Sequence, residues 1–297
     1  MLALSFWVLR AGAASLTFIP SADTALIEIA PTNNSGGQAW LLSGKIQNDV
    51  YRDRALMKFD FSALPTNAIV LSAVVTLEVT RQPGDGLANA PFGLHRMLRP
   101  WGEGDKVATT VPGQGLPATA GEATWRHAFF PTNEWTVPGG AAGLDFSDIE
   151  SSFQFIYGVG QSPYRFESTP ELVADVQSWV NSPQSNYGWM LLCDDEATIF
   201  TARRFGSRED PDAPPRLDIE FIVPPYVAAS GRANDLFHLS FTTWPGQSYA
   251  VEFRDSFATG TWQTLTNLEP ATNATPVSIT DPVSGPQRFY RVLSFFP

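Results

Sequence analysis

The chain has 297 residues, 24 prolines, 23 glycines, only 16% charged residues and a net charge of -11. That length suits one large β domain or two smaller ones, and the Pro, Gly and aromatic content favours short strands joined by turns. The negative balance, with no Lys/Arg run, argues against a nucleic-acid partner or an anionic membrane surface, since displacing phosphate counterions needs a basic stripe.

Residues 1–14 place an apolar run before Ala11, Gly12, Ala13 and Ala14, small residues that suit signal peptidase. A basic start is missing and Arg10 interrupts the run. The segment reads as a truncated secretion signal, with an ordinary apolar first strand as the alternative. No other stretch is long and apolar enough to span a bilayer, so no membrane span is expected.

From Ser15 onward the pattern has period two. In RALMKFDFSALP, Met57, Phe59 and Phe61 share one face while Lys58 and Asp60 share the other. AVVTLEVT sets Ala73, Val75, Leu77 and Val79 against Val74, Thr76, Glu78 and Thr80, and RLDIEF sets Leu217, Ile219 and Phe221 against Asp218 and Glu220. Such half-buried strands between Gly/Pro turns predict an all-β fold, a jelly roll or β-sandwich. Residues 100–143 are rich in Gly, Pro, Ala and Thr, and read as a functional loop or as a cover for a sheet edge.

STPELVADVQSWVNSP breaks the rule. It has a Ser/Thr cap, Pro170 in the first turn, Glu171 placed for a capping box, and Leu172, Val176, Trp179 and Val180 at helical spacing. One short helix is predicted, stopped by residues 181–183. Cys193, the single cysteine, lies in the apolar run GWMLLCDD and reads as a small buried hydrophobe; no disulfide framework or Cys/His zinc spacing exists. The first domain is expected over residues 15–222, a linker over 223–231, and a small fibronectin-like β domain over 232–297, where DLFHLSFT, SYAVEFR, TWQTL, PVSIT and RFYRVLSF supply strands.

PSADTALIEIAPTNNSGG, RALMKFDFSALPTNAIVLSAVVTLEV, LRPWGEGD, GEATW and TARRFGSREDPDAPPRLDIEF follow in an order that resembles the DNRLRE-domain proteins, over about residues 16–221. The insert with GEATWRHAFFP and STPELVADVQSWVNSPQSNYGW is similar to a version common in secreted proteins of environmental bacteria. The tail, with FTTWPGQSYAVEFRDSFATGTWQTL and VSGPQRFYRV, is similar to a short C-terminal β module of large secreted proteins from the same kinds of bacteria. The resemblance implies an exported, non-catalytic jelly-roll or β-sandwich domain. Related domains are classed among carbohydrate-binding modules, with alginate the best-supported ligand class.

Among candidate binding residues, TARRFGSRED stands out. On a regular strand Arg203 and Arg204 must face opposite ways, so Arg203 either enters the core edge beside a carboxylate or is turned out by a bulge. Arg204 and Arg208 are the ligand candidates, since a guanidinium fork suits a uronate carboxylate or a sulfate; Glu209, Asp210 and Asp212 offer the competing salt bridges. Arg52 and Arg54 form a second basic pair beside Asp49 and Asp53. Trp101, Trp125 and Trp135, in loop-rich sequence, are candidates for stacking on sugar rings or for packing. Asp194, Asp195 and Glu196 could ligate Ca²⁺ or simply be a solvated hairpin tip; Asp23 and the turn at Asn33 and Asn34 are equally ambiguous.

Enzyme motifs are missing. His95, His127 and His238 sit apart, and the chain carries no nucleophile elbow, His-Glu metal motif or Gly-rich phosphate loop; Asp145 and Asp148 pair only on paper. The expectation is therefore a secreted or cell-surface, non-catalytic protein that binds an acidic or sulfated polysaccharide. The alternative is a structural or adhesive module for cell-surface or matrix proteins, and a third reading is a polysaccharide-degrading enzyme.

Overall fold

The computed structural model describes residues 13–46, 51–111, 113–233, 235–282, 285 and 287–295. The expected signal segment thus lies outside the described residues, apart from its last two. The protein is all-β, built of antiparallel sheets with one α-helix among the described residues, in keeping with a β-sandwich. None of its helices there is long and apolar enough to cross a membrane.

Two compact units are present. The described residues of the larger fall within Leu16–Leu64 and Ser72–Ile219, and those of the smaller within Met1–Ser15, Pro65–Leu71 and Glu220–Pro297. The larger is organised on an eight-stranded sheet. Its strands run in the order Phe146–Ile156, Ala90–Met97, Trp189–Cys193, Arg52–Phe59, Trp40–Lys45, Arg203–Gly206, Val79–Arg81, with Pro20–Ile27 also pairing Arg52–Phe59. Sequence-adjacent strands are seldom neighbours, so most pairings are long-range.

Strand alternation gives this sheet two apolar faces. Leu26, Leu56, Met97 and Met190 cluster on one face with Trp101, Trp125, Trp135 and Phe146. The parts of residues 100–143 around Trp101, Trp125 and Trp135 therefore cover the sheet face, and the indoles are what hold the cover down. Buried Asp145 organises it: the carboxylate accepts from Arg99 at 3.0 Å, from the Thr136 N–H at 2.9 Å and from the Ala141 N–H at 2.8 Å.

The other face carries Phe59, Phe92, Trp189 and Phe205 in edge-to-face contacts. Here the helix Pro170–Asn181 packs, with Trp179 against Trp189 at 4.6 Å and Asp175 accepting from Trp189 Nε1 at 2.9 Å. Thr169 is its N-cap and accepts from the Leu172 N–H at 3.0 Å. The capping box does not form, because the third helical position is Leu172; Glu171 sits one residue earlier, where the helix dipole still favours it. A four-stranded sheet, in the order Ala14–Phe18, Arg216–Ile222, Ile69–Leu77, Tyr164–Phe166, buries Leu217, Ile219 and Phe221 as their alternation predicts.

The smaller unit has two three-stranded sheets. One runs Val227–Ala233, Leu236–Thr242, Pro276–Pro282; the other runs Gln263–Leu268, Ser248–Arg254, Phe289–Phe295. Its core is Phe237, Leu239, Phe241, Tyr249, Val251 and Val292. The expected linker at 223–231 ends early, because residues from Val227 pair with Leu236–Thr242 as a strand. Its Ala, Ser and Gly content hid that pairing from pattern reading.

Candidate functional site

The strand Arg203–Gly206 splits its two arginines as its parity requires. Arg203 turns inward and is 1% exposed. No carboxylate meets it among its hydrogen-bond partners. Its guanidinium donates instead to the backbone carbonyls of Tyr157, Ala88, Phe200, Thr201 and Ala202. Phe200, with φ 64°, is bent into the left-handed region and brings consecutive carbonyls to the same cation. Burial holds the Arg203 pKa below its usual value, and the carbonyl cage takes the place of the expected carboxylate.

Arg204 faces outward over Trp40, with 4.1 Å from guanidinium carbon to ring centroid. Its cross-strand neighbours are Leu42 on one side and Arg81 on the other. Burial, and then the Arg81 charge, hold its pKa below the usual value. Its Nε is buried with no hydrogen-bond partner among the described residues, and no carboxylate there pairs with either guanidinium.

The two cations open on a groove of about 370 Å³, also lined by Leu42, Gln82, Gln114 and two acids, Asp53 and Asp85. Burial, and then the Glu28 charge, push the Asp53 carboxyl up to about 8. Its shift favours the neutral form and so weakens the negative charge that Asp53 brings to the groove, while Asp85 stands at the same groove. The site is a partly buried guanidinium seated on an indole beside an exposed second cation, matched chemically to an anion.

The other predicted residues fall into different roles. Arg52 and Arg54 both lie over Trp125, at 5.4 Å and 5.5 Å. Arg54 makes two parallel 2.8 Å bonds to Glu196, and its third nitrogen donates to the Gly139 and Gly140 carbonyls. Arg52 pairs with Glu28 at 2.9 Å and Glu196 at 3.2 Å. This cluster fastens the loop cover to the sheet.

Trp101, Trp125 and Trp135 are 8%, 3% and 4% exposed. Trp101 Nε1 donates to the Tyr187 carbonyl and Trp135 Nε1 to that of Thr124. Their faces are packed and offer no open platform for a sugar. Arg208 pairs with Glu103 at 2.6 Å and Glu209 at 2.9 Å, while its N–H donates to Asp23.

The acidic run 194–196 is dispersed as well. Glu196 is taken by the two arginines, Asp195 accepts from the Thr198 N–H at 3.1 Å, and only Asp194 turns toward other potential metal ligands. The three carboxylates do not converge, so they do not form the single oxygen cage that Ca²⁺ takes. Burial pushes the Cys193 thiol up to about 11, the condition of an inert core cysteine.

Two features escaped sequence reasoning. Trp40 and Arg81 need cross-strand register to be seen as neighbours of Arg204. The exposed aromatic row Phe153, Phe155 and Tyr157 had a signal, strict period two in SFQFIYG, on an edge strand. No protein-family model matches the chain, and neither does any curated protein.

Proposed function

We propose that the larger unit binds an acidic or sulfated polysaccharide, without catalysis, through the groove of Arg81 and Arg204. The observation that carries this reading is a partly buried guanidinium over an indole, beside a second cation and with no carboxylate partner among the described residues, in a chain of net charge -11. A uronate or sulfate ester would supply both the missing acceptor and the missing negative charge, while Trp40 holds the Arg204 guanidinium in place for it. The resemblance to DNRLRE-domain proteins supports the same ligand class and an extracellular or cell-surface setting, and alginate is the first polymer to try.

The test is affinity electrophoresis of the full chain through gels holding alginate, a sulfated fucan or a neutral glucan. The expected result is retardation by a polyanion, lost in Arg204→Ala and kept in Arg165→Ala, whose exposed arginine lies outside the groove. Free migration through all three gels refutes the proposal.

A second reading, an adhesive or structural module, is favoured by the exposed row of Phe153, Phe155 and Tyr157 on an edge strand. It predicts self-association or capture of surface proteins, abolished by Phe153→Ser. A monomer that binds glycans and is indifferent to that substitution excludes it.

A further inference from the structure

His95, Glu150 and Asp194 come from three chain segments, and their ligand atoms lie within 4.8 Å of one another. Register brings them there. Glu150 is the cross-strand partner of His95 on one side and Met190 is its partner on the other. Asp194 directly follows the strand Trp189–Cys193, its N–H held on the Pro91 carbonyl at 3.0 Å. Register shifts on both sides of Glu150 mark bulges, a device that re-aims a side chain.

His95 is set up as a ligand. The residue is 6% exposed. Its Nδ1 lies 2.9 Å from the Ser147 carbonyl oxygen, which can only accept, so Nδ1 carries the proton and Nε2 the lone pair. A hydrogen bond from the far nitrogen to a carbonyl is the usual orienting contact of a metal-bound histidine. Nε2 is buried and has no hydrogen-bond partner among the described residues. It faces Asp194 Oδ1 at 3.9 Å, too far for a hydrogen bond even if the ring were doubly protonated. A lone pair and two carboxylates thus converge with nothing between them to donate, an arrangement that a cation would resolve.

Space for that cation is kept by a glycine. A Cβ on Gly93 would lie 2.8 Å from His95 Nε2, 3.1 Å from Glu150 Cγ and 3.2 Å from Asp194 Oδ1. Any side chain there would fill the point on which the three groups converge.

We propose that His95 Nε2, Glu150 and Asp194 bind one divalent transition-metal cation of the Zn²⁺ class. An imidazole among the donors selects such ions over Ca²⁺, which collects six to eight oxygens. Bonds of about 2.0–2.2 Å at tetrahedral angles put ligand atoms about 3.4 Å apart, so small side-chain rotations from the observed spacing suffice. Three protein ligands leave a coordination position, and exposed Asp194 places it toward solvent, open to an oxygen donor. The ion would clasp the edge strand Phe146–Ile156, its neighbour Ala90–Met97 and the turn after Trp189–Cys193. The site shares no residue with the Arg204 groove, so it stands or falls separately from glycan binding.

The experiment is calorimetric titration of the tag-free full chain with ZnCl₂ alone, then with CaCl₂, alongside Asp194→Asn, Glu150→Gln and Gly93→Ala. One equivalent of Zn²⁺ should bind. Each carboxylate variant should weaken binding by about tenfold or more, since even outer-shell changes cost about 10–100-fold. Gly93→Ala should weaken it with every ligand still present. Asp194→Asn changes an exposed side chain and tests the site even if the glycine variant fails to fold. Nitrogen-detected NMR should show Nε2 of His95 shifting on Zn²⁺ addition while Nδ1 stays protonated. The assignment is overturned if wild type shows no saturable Zn²⁺ binding, if binding is unchanged in both carboxylate variants, if His127 or His238 shifts instead, or if equimolar Ca²⁺ displaces the ion.

Discussion

The two arginine pairs of the larger unit, one set two residues apart on one strand and the other brought together across strands, end in opposite states. Arg52 and Arg54 share one strand face, and Glu28 and Glu196 neutralise them under the loop cover. Arg81 and Arg204 are cross-strand partners with no carboxylate ion-paired to either among the described residues, and Arg204 lies over a half-buried tryptophan. The first pair is satisfied by the protein itself. The second leaves a donor unspent, and this difference separates a structural cation from a binding one.

Breaking the satisfied pair should destabilise the protein most. Arg54→Met removes both bonds to Glu196 and the donor to the Gly139 and Gly140 carbonyls, leaving the partly buried carboxylate with Arg52 alone, at 3.2 Å, and taking a cation from beneath the loop cover. A loss of about 3 kcal/mol is expected from denaturant unfolding, within the range for removing one member of a buried ion pair. Glu196→Gln should cost less, because the amide oxygen can still accept from the arginines, although the Arg54 guanidinium loses its counter-charge. Neither change should alter ligand affinity in protein that remains folded.

Asp53 gives a second contrast, read through pH. Its carboxyl is raised to about 8 in the folded state, whereas an unfolded aspartate titrates near 3.9. The folded state therefore holds the proton more tightly. Stability from this group is greatest below about pH 4, falls as pH rises, and levels off above about pH 8. Asp53→Asn should remove that decline and be the more stable protein at pH 8 by several kcal/mol, with about 5 kcal/mol as the ceiling that a shift of about four units sets. Asp23 is raised in the same direction, so part of the slope should survive in the variant. Denaturant melts of both proteins at pH 5 and pH 8 decide it, and parallel slopes would refute the assignment.

How much of this was legible depends on whether a residue's fate is decided locally or across the sheet. The strands, the helix and its threonine cap follow from short-range patterns, and the inward turn of Arg203 against the outward turn of Arg204 follows from parity alone. The cage of carbonyls around Arg203 does not, because it depends on the bend at Phe200 and on distant Tyr157 and Ala88. Arg54, Trp125 and Glu196 are far apart in sequence, and only the fold shows that they satisfy one another. The loop tryptophans misled for a related reason. Irregular backbone can lie over a sheet face as well as at a rim, and composition does not distinguish the two.

On the binding side, Arg204→Ala should leave folding stability within about 1 kcal/mol, since its guanidinium is held only by the indole and loses a like-charge neighbour. Affinity for a polyanion should drop about tenfold or more, the scale of one desolvated charge-assisted contact. Trp40→Ala should fall between the two in its effect on binding, and raising salt should narrow the gap between wild type and Arg204→Ala.

The smallest stability change should come from Arg81→Gln, and its sign is what sharpens the contrast. Arg81 is exposed and lowers the pKa of Arg204 by repulsion, so removing its charge relieves a cost that the folded protein carries. The variant should be more stable by a few tenths of a kcal/mol at low ionic strength, with the gain fading as salt is added. Yet it should bind a polyanion less well, because an arriving carboxylate or sulfate would find one cation where there had been two. A change that stabilises the free protein while weakening the complex is the signature of a charge kept for a ligand. Chemical melts at low and high salt, set beside gel retardation of the same variant, measure both halves, and a destabilised Arg81→Gln with unaltered retardation would return this pair to the same class as Arg52 and Arg54.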